Sequence, residues 1–260
     1  MAFCYKNFIL VESEYMNLAI IGFGSMGIKI KEIAEKQGHI VSITIDPVNI
    51  NATHKNIKEA PLKDVDIVID FSSASSVIEN VKICADLKKN IIIGTTGWYN
   101  LLEEVEKIAK ESGIGVLWSA NFSIGVNMLY KIIEKAGELM NHYEEYDIWG
   151  TELHHNNKAD SPSGTAKEIS KILLENINRK DKVIYDKLDR KINPNEIHFS
   201  STRGGVVNFS HTIGFDSPSD TITITHSARD RGGYALGVIK VAEWMKDRKG
   251  FFNMNDFLNK

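Results

Sequence analysis

From residue 17 onwards, short apolar runs alternate with stretches in which apolar residues recur every three or four positions. The runs predict strands, and the stretches predict amphipathic helices. The predicted strands are 17–22, 39–46, 66–71, 90–94 and 114–119, with helices at 28–37, about 75–88 and about 101–112 between them. Strands and helices that alternate at this spacing predict right-handed crossovers and a parallel sheet, and nearly all-apolar strands are expected where both sheet faces are covered. The predicted fold class is α/β, with a doubly wound, Rossmann-like sheet.

The pattern changes after this first part. A longer helix is predicted at 124–140, followed by a strand at 146–153 and, beyond Lys182, by strands with period-two alternation, clearest at 221–225 (TITIT). Such alternation is typical of a sheet with one solvated face, so it predicts an α+β domain with a mixed or antiparallel sheet. An amphipathic helix at 234–246 is predicted to return to the first domain. The expected division is 16–123 with 233–260 for the first domain and 124–232 for the second.

Composition narrows the classes of partner. The 260 residues carry a formal net charge of −3, so no general basic field favours nucleic acid. No apolar run approaches the roughly 20 residues that a membrane helix needs, and Cys4 and Cys84 form neither a metal spacing nor a disulfide framework. These features favour a cytoplasmic protein that binds neither nucleic acid nor membrane. Residues 1–15 lack the features of a secretory signal and precede Met16, so we expect an extension without a role in the chemistry.

A glycine-rich segment with G-x-G-x-x-G spacing follows the first predicted strand and opens the first helix. Its residues are Gly22, Phe23, Gly24, Ser25, Met26 and Gly27. In dinucleotide-binding folds the first glycine permits a tight turn, the second lets a pyrophosphate approach the backbone, and the third lets helix and strand pack closely. The open N–H groups of the helix start then bind the phosphate. The segment predicts a dinucleotide site, although a tight strand–helix turn of another α/β fold would show the same spacing.

Asp46, at the end of the second predicted strand, lies about 20 residues beyond this loop, where an acidic group hydrogen-bonds the adenosine ribose. Its carboxylate would repel the extra phosphate of NADPH, and Pro47 supplies no cation to offset that. We therefore expect NADH to serve at least as well as NADPH. The alternative is a turn residue beside a proline, a common place for aspartate.

The segment 152–166 (ELHHNNKADSPSGTA) concentrates candidate chemistry at the end of a predicted strand. A proline and a serine precede a predicted helix, whose open N–H groups at Gly164 and Thr165 suit a carboxylate. Lys158 adds a positive charge, and two such donors suit a dicarboxylate. Histidine and lysine beside them supply protons near neutral pH where the pocket tunes their pKa values.

Other interpretations of this segment are weaker. His154 and His155 could bind a metal, but adjacent strand residues point to opposite sides, and no ligand set at metal spacing completes a site, so no metal is expected. The Ser-Gly-Thr turn alone would favour a simple helix cap. A phosphate-binding loop of the G-K-[ST] type does not fit, because no lysine follows Gly164.

The segment 152–166 resembles the signature E-x-H-H-x-x-K-x-D-x-P-S-G-T-A of the dihydrodipicolinate reductase family. Residues 70–72 (DFS), 94–97 (GTTG) and 119–127 (SANFSIGVN) are similar to other stretches of that family, and the resemblance spans Met16 to the C-terminus. It implies a Rossmann-like cofactor domain and an α+β domain for substrate binding and tetramerisation. The implied activity is the NADH- or NADPH-dependent reduction of 4-hydroxy-tetrahydrodipicolinate, a small cyclic dicarboxylate, in lysine and diaminopimelate biosynthesis.

The resemblance also implies roles for individual residues. His154 corresponds to the family's proton donor and acceptor, and Lys158 to a second proton donor. The implied substrate contacts are His155, Ser163, Gly164 and Thr165. Besides the glycine loop, the implied cofactor-lining residues are Gly94, Thr95, Thr96, Ser119, Ala120, Asn121 and Phe122.

Some features depart from the family pattern. The loop GFGSMG is one residue shorter than the G-x-x-G-x-M-G form of many members. Asn156 and Asn157 replace residues that are more often basic, which leaves the pocket less positive, and Ser161 replaces alanine. The alternatives left open are a related two-domain amino-acid dehydrogenase and a non-catalytic nicotinamide-binding paralogue.

Overall fold

The computed structural model describes residues 15–259, so the extension predicted at 1–15 lies, apart from Tyr15, outside the described residues. The chain forms two compact units, one containing the residues up to Ser119 and those from Ile239 onwards, the other Ala120–Val238. The second unit begins four residues earlier and ends six residues later than the predicted domain 124–232. Close packing explains the difference, because a Cβ on Gly237 would lie 1.8 Å from the carbonyl oxygen of Phe122, which ties these two positions together.

The order of helices and strands follows the alternation seen in the sequence. The strands are β1 (Asn17–Ile21), β2 (Ile40–Ile45), β3 (Ile67–Asp70), β4 (Asn90–Ile93), β5 (Gly115–Trp118), β6 (Asp147–His154), β7 (Lys182–Ile184), β8 (Glu196–Arg203), β9 (Phe209–Asp216), β10 (Thr221–Ala228) and β11 (Gly250–Asn253). The helices are α1 (Ser25–Lys36), α2 (Val77–Asp86), α3 (Leu102–Ser112), α4 (Ile124–Met140), α5 (Gly164–Asn176), α6 (Gly232–Met245) and α7 (Met254–Leu258). Helix α6 begins in the second unit and ends in the first.

The first unit contains a six-stranded sheet in the order β11-β5-β4-β3-β1-β2, in which every pair is parallel. Strands β3 and β4 are buried along their whole length, as their apolar sequences predict. Strand β1 has β2 on one side and β3 on the other, so the strand order reverses beside it. In open α/β sheets, ligands bind outside the carboxyl ends of the strands at such a switch point. The predicted Rossmann-like fold is confirmed.

The second unit contains a five-stranded sheet in the order β10-β9-β6-β8-β7. Strand β6 pairs parallel with β8 and antiparallel with β9, so the predicted mixed sheet is confirmed. Apolar residues of α4, α5 and one sheet face form its core. They include Leu129, Ile133, Ile169, Leu173, Phe199, Ile213 and Phe215.

The other sheet face is more polar. Thr151 accepts a hydrogen bond from Ser200 at 3.1 Å, and the hydroxyls of Thr212 and Thr225 lie 3.0 Å apart. Trp149 lies there too and is 37% exposed. Within residues 15–259, no helix combines the length and the apolarity that crossing a membrane would require.

Candidate active site

The glycine-rich turn joins β1 to α1, and its three glycines have distinct surroundings. Gly22 has a φ of +86°, and a Cβ there would lie 2.2 Å from the carbonyl oxygen of Phe71. A Cβ on Gly27 would lie 2.2 Å from the carbonyl oxygen of Gly22, whereas a Cβ on Gly24 would have no atom of residues 15–259 within 4 Å. Helix α1 begins without a side-chain cap. The turn therefore leaves both the space and the backbone donors that a pyrophosphate needs.

The other residues of the turn differ in exposure: Phe23 is buried, Met26 half-buried and Ser25 exposed. Phe23 is held through both of its peptide groups. Its N–H donates to Asp46 Oδ2 at 2.9 Å, and its carbonyl accepts from the Asn49 amide at 2.6 Å. The loop after β2 thus fixes the conformation of the glycine-rich turn.

Asp46 follows β2, and its carboxylate accepts hydrogen bonds from backbone N–H groups around it. Besides the N–H of Phe23, its carboxylate accepts the N–H groups of Val48 at 2.9 Å and Asn49 at 2.8 Å. The N–H of Asn49 is the largest of the influences that hold the pKa of Asp46 below its ordinary value. The turn role considered for Asp46 is therefore present, and binding to the ribose stays a prediction for the lone pairs that remain.

A cation that the sequence does not place near Asp46 lies beside it. Lys55 Nζ donates to the carbonyl of Asn49 at 2.7 Å, and its charge contributes to the lowered pKa of Asp46. The chain returns to β2 at this point, because His54 forms a β-bridge with Ile45. Pro47 carries no charge, as expected. Lys55, nine residues after Asp46, supplies a positive charge near the Asp46 carboxylate.

The segment 94–96 follows β4 and is held by a buried carboxylate. The N–H of Gly94 donates to the carbonyl of Asp70 at 2.8 Å, and Thr95 Oγ1 donates to Asp70 Oδ1 at 3.0 Å. A Cβ on Gly94 would lie 2.1 Å from the ring of Phe71, so only glycine fits against that ring. Thr96 is exposed beyond it.

The predicted cofactor residues of the first unit therefore follow the carboxyl ends of parallel strands. Gly22 to Gly27 follow β1, Asp46 follows β2, Gly94 to Thr96 follow β4, and Ser119 follows β5. Since these strands are parallel, the residues lie along one edge of the sheet. This edge is where the fold class binds nucleotides.

The remaining predicted cofactor residues begin the second unit and lead into α4. Ala120 is exposed and Phe122 is buried. Asn121 Oδ1 accepts the N–H of Ser123 at 2.9 Å, and Ser123 Oγ accepts the N–H of Val126 as the cap of α4. A cavity of about 290 Å³ lies beside this helix start, lined among others by Ser123 and Tyr234.

Glu152 lies near the end of β6 and is buried, with 1% of its surface exposed. Its Oε1 accepts the N–H of Ser163 at 3.0 Å, the hydroxyl of Ser201 at 2.8 Å and the guanidinium of Arg203 at 2.8 Å. Its Oε2 accepts the hydroxyl of Ser163 and lies 3.3 Å from His211 Nε2. Burial raises the pKa of Glu152, but these hydrogen bonds outweigh burial and hold the pKa well below its ordinary value. The group is a buried, fully ionised carboxylate.

His154, two residues further along β6, is 5% exposed and stacks on Phe209 with ring centroids 5.8 Å apart. Its Nδ1 has no hydrogen-bond partner among the described residues and lies 3.5 Å from Glu152 Oε2. Burial is the main cause that lowers the pKa of His154 to about 4, with Lys158 among the cations that add to the effect. His154 is therefore neutral at pH 7 when no ligand is bound.

Two cations lie close to this histidine. Lys158 Nζ donates to Asp160 at 2.6 Å, and Arg203 donates to Glu152 and to the carbonyl of Asp160 at 2.7 Å. Asp160, which lies in the loop between β6 and α5, thus contacts both cations. His155 is half-buried, and its Nδ1 lacks a partner among the described residues.

The start of α5 is capped by Ser163, whose Oγ accepts the N–H of Ala166 at 3.1 Å. The N–H and the hydroxyl of Ser163 both point to Glu152, so neither is left for a ligand. The open donors of this helix start are the N–H groups of Gly164 and Thr165. Ser163 therefore fixes the start of α5 against Glu152, and its contact with substrate stays a prediction.

Glu152, His154 and His211 each place one ligand atom within 4.8 Å of the others, a spacing compatible with a metal ion. The sequence does not bring this trio together, because His211 comes from β9 and pairs with Glu152 only through the sheet register. The oxygens of Glu152 already accept hydrogen bonds, and the guanidinium of Arg203 opposes a second cation. The arrangement fits a carboxylate that orients two imidazoles better than it fits a metal centre.

The low pKa of His154 predicts that acid destabilises the fold. Between its ordinary value of 6.5 and about 4, the unfolded chain binds a proton that the folded chain does not, so stability falls as pH falls through this range. From pH 7 to 5 the loss attributable to this group is about 2 kcal/mol. Urea unfolding of the native chain and of His154→Asn at both pH values measures it. Equal losses in the two proteins would contradict the assignment.

The two units define a class of protein: an oxidoreductase with a Rossmann-type nucleotide-binding domain and a separate α+β domain. The protein-family model for the N-terminus of dihydrodipicolinate reductase matches residues 16–122. The family model for the C-terminus of the same enzyme matches residues 125–258. The chain belongs to the dihydrodipicolinate reductase family.

Individual relatives agree. The chain is 33% identical over 246 residues to the 4-hydroxy-tetrahydrodipicolinate reductase of Christiangramia forsetii, covering 94% of this chain and 98% of that protein. It is 35% identical to the enzyme of the same name from Buchnera aphidicola subsp. Baizongia pistaciae, covering 94% of this chain and 98% of that protein. The interpretation of the chain as a reductase of this family is confirmed.

A solved structure is similar in fold. The dipicolinate-bound dihydrodipicolinate reductase from Paenisporosarcina sp. TG-14 superposes with a TM-score of 0.77 at 20% identity, covering 94% of this chain and 99% of that one. A probable dehydrogenase from Thermotoga maritima gives a TM-score of 0.55 at 13% identity, with coverages of 88% and 89%. The higher TM-score of the reductase agrees with the family assignment.

Proposed function

We propose that this chain reduces 4-hydroxy-tetrahydrodipicolinate to tetrahydrodipicolinate with NADH or NADPH, in the biosynthesis of diaminopimelate and lysine. The observation that carries the proposal is the arrangement around Glu152. One buried carboxylate contacts the reactive-histidine candidate His154 and fixes the start of α5, while Lys158 acts electrostatically on the same histidine. A proton donor, a cation and open backbone N–H groups beside one another suit a cyclic dicarboxylate.

We assign the two carboxylates of the substrate to different donors. The N–H groups of Gly164 and Thr165 bind one of them at the helix start. Lys158 binds the other and in doing so exchanges its ion pair with Asp160 for one with the substrate. The cation then stabilises negative charge that builds on the ring during reduction.

Loss of water from the substrate gives a conjugated cyclic imine, which takes up one hydride at C4 and one proton to reach the product. A dihydronicotinamide cofactor, held by the glycine-rich turn of Gly22 to Gly27 and by the segment 94–96, would supply the hydride. His154 or Lys158 supplies the proton to the resulting enamine. The negative charges of the substrate oppose the cations that lower the pKa of His154, so binding favours uptake of a proton by the imidazole.

The cofactor preference follows from Asp46 and Lys55. The Asp46 carboxylate favours the ribose hydroxyls of NADH, and Lys55 offsets part of its repulsion of a 2′-phosphate. NADH is expected to serve at least as well as NADPH.

Replacing Lys55 by alanine should raise the preference for NADH over NADPH, since only NADPH loses an attraction. An exposed charge pair contributes up to about 1 kcal/mol, so the ratio of the two kcat/KM values should change about 3- to 5-fold. Steady-state kinetics with both cofactors measures the ratio. Lys58→Ala is the matched control, because Lys58 pairs with Glu79 at 2.6 Å. An unchanged ratio in Lys55→Ala would contradict this role.

We also propose a homotetramer in the cytoplasm. The half-polar sheet face that carries Trp149 supports association through the second unit, and the free, buried thiol of Cys84 is compatible with a reducing compartment. A solution mass of a single chain would contradict the assembly, and recovery of the protein from an oxidising compartment would contradict the location.

A coupled assay tests the reaction. Pyruvate and aspartate semialdehyde are condensed by a synthase to generate the substrate, and NADH absorbance is followed after this chain is added. We expect oxidation that requires both the synthase and this chain. Oxidation with aspartate semialdehyde or another amino-acid precursor alone would favour the related dehydrogenase, and no oxidation would favour a non-catalytic paralogue.

A further inference from the structure

The buried carboxylate of Glu152 contacts both His154 and the start of α5, and these contacts bear on the two histidines beside it. Four side chains and one backbone N–H from three other parts of the chain converge on its two oxygens. A buried carboxylate that accepts this many hydrogen bonds keeps one orientation and stays ionised. It acts as a fixed acceptor for whatever else approaches it.

The hydrogen-bonding role of His211 Nε2 follows from its contacts. Ser163 Oγ gives its one proton to Glu152 and accepts the N–H of Ala166, so it can only accept from His211 Nε2, which lies 3.2 Å away. His211 Nε2 therefore carries a proton. His211 is fully buried, and its ring is nearly perpendicular to that of His154, with ring centroids 5.3 Å apart.

The same carboxylate sets the tautomer of His154. Its Nδ1 lies 3.5 Å from Glu152 Oε2, and the negative charge of this carboxylate favours a proton on the ring nitrogen that is nearer to it. Nδ1 therefore carries the proton in the neutral ring, and Nε2 is the nitrogen left for a ligand. Phe209 stacks on the ring of His154, and the ring of His211 stands nearly perpendicular to it with centroids 5.3 Å apart.

We propose that Glu152 and His211 are positioning residues, which hold His154 as the Nδ1–H tautomer and hold the cap of α5 through Ser163. The idea rests on the proposed function for its catalytic consequence only. When His154 takes up a proton, Glu152 stabilises the imidazolium through Nδ1–H while Nε2–H faces the substrate. Arg203 neutralises Glu152 from the opposite side and keeps its orientation.

Glu152→Gln is the decisive variant. The donors Ser201 and Arg203 fix the amide oxygen at the Oε1 position, so the amide NH₂ faces His154 and His211. An NH₂ there donates to His154 Nδ1 and moves the ring proton to Nε2. We expect kcat to fall about 100-fold or more, as when a histidine is held in the wrong tautomer, with a smaller change in KM.

Substitutions of His211 provide a second, independent test of the proposal. His211→Leu removes the donor to Ser163 and Glu152, and kcat should fall at least about tenfold. His211→Gln keeps an N–H near the Nε2 position and should restore part of that loss. His198→Leu is the matched control, because His198 lies on β8 opposite Trp149 and makes no contact with this cluster among the described residues.

Side-chain nitrogen-15 NMR of histidine-labelled protein reads the tautomer without substrate, so it separates this inference from the proposed reaction. We expect the Nδ1–H tautomer of His154 in the native chain and in His198→Leu, and the Nε2–H tautomer in Glu152→Gln. An Nε2–H tautomer in the native chain overturns the inference. So does Glu152→Gln with a native kcat, or His211→Gln as inactive as His211→Leu.

Discussion

Replacement of Lys158 by alanine is expected to lower kcat/KM about 30- to 1000-fold, the effect of losing about 2–4 kcal/mol of transition-state stabilisation from one preorganised donor. Lys158 is 23% exposed, and Asp160 fixes its ammonium group. Its charge already acts on His154 in the free protein. Removing it leaves a substrate carboxylate without a partner and lowers the stabilisation of charge on the ring.

Steady-state kinetics separates these two contributions. Loss of ground-state binding alone raises KM, whereas loss of transition-state stabilisation lowers kcat. We expect both to change. Lys167→Ala is the control, because Lys167 is exposed on α5 close to the same helix start. A Lys158→Ala variant with native kcat/KM would refute the role given to this lysine.

Gly22→Ala is expected to destabilise the first unit by about 3 kcal/mol or more. A φ of +86° is unfavourable for alanine, at about 1–3 kcal/mol. The new Cβ would also lie 2.2 Å from the backbone carbonyl of Phe71, which cannot move without displacing β3 and its neighbours. Urea unfolding measures the change, and cofactor binding should be lost with it.

Gly24→Ala is the matched substitution in the same loop. Gly24 has a φ of −81°, and a Cβ there would meet no atom of the described part of the chain within 4 Å, so stability should change by less than about 1 kcal/mol. The methyl group would nevertheless occupy the space that a pyrophosphate needs, and NADH affinity should fall. If Gly24→Ala binds NADH normally, the phosphate does not lie over this turn.

The first unit could be predicted almost completely, because its strands are buried on both faces and its helices are amphipathic. Strands such as β3 and β4 are continuous apolar runs between turn residues. Strand β11 and the short helix α7 are the exceptions. The four residues of β11, GFFN, are too few to show a period, and its pairing with β5 depends on the course of the chain through α6. The five residues of α7 are likewise too few to show a helical period.

The residues of the candidate site also fall into two groups, those that the sequence identifies and those that only the structure brings into the site. His154, Lys158 and the start of α5 lie in one contiguous segment, so a motif identifies them. His211 and Arg203 join them through the pairing of β6 with β9 and β8, and a lone histidine or arginine in a strand carries no such signal.

Register and side-chain direction also explain the remaining differences. Ser163 matches a substrate contact by motif, but only the structure shows that its donors point to Glu152. Lys55 approaches Asp46 because residues after β2 turn back to form a bridge with that strand. Neither arrangement follows from residue spacing alone.

Transfer of deuterium from NADH to the product tests the central claim most directly. The native chain is given the synthase-generated substrate and NADH that carries deuterium at the transferred position of C4, and the product is examined by mass spectrometry. The account predicts one deuterium in each tetrahydrodipicolinate formed, and none when unlabelled NADH is used in deuterium-free buffer. NADH consumption with an unlabelled product, or with no tetrahydrodipicolinate at all, would contradict it.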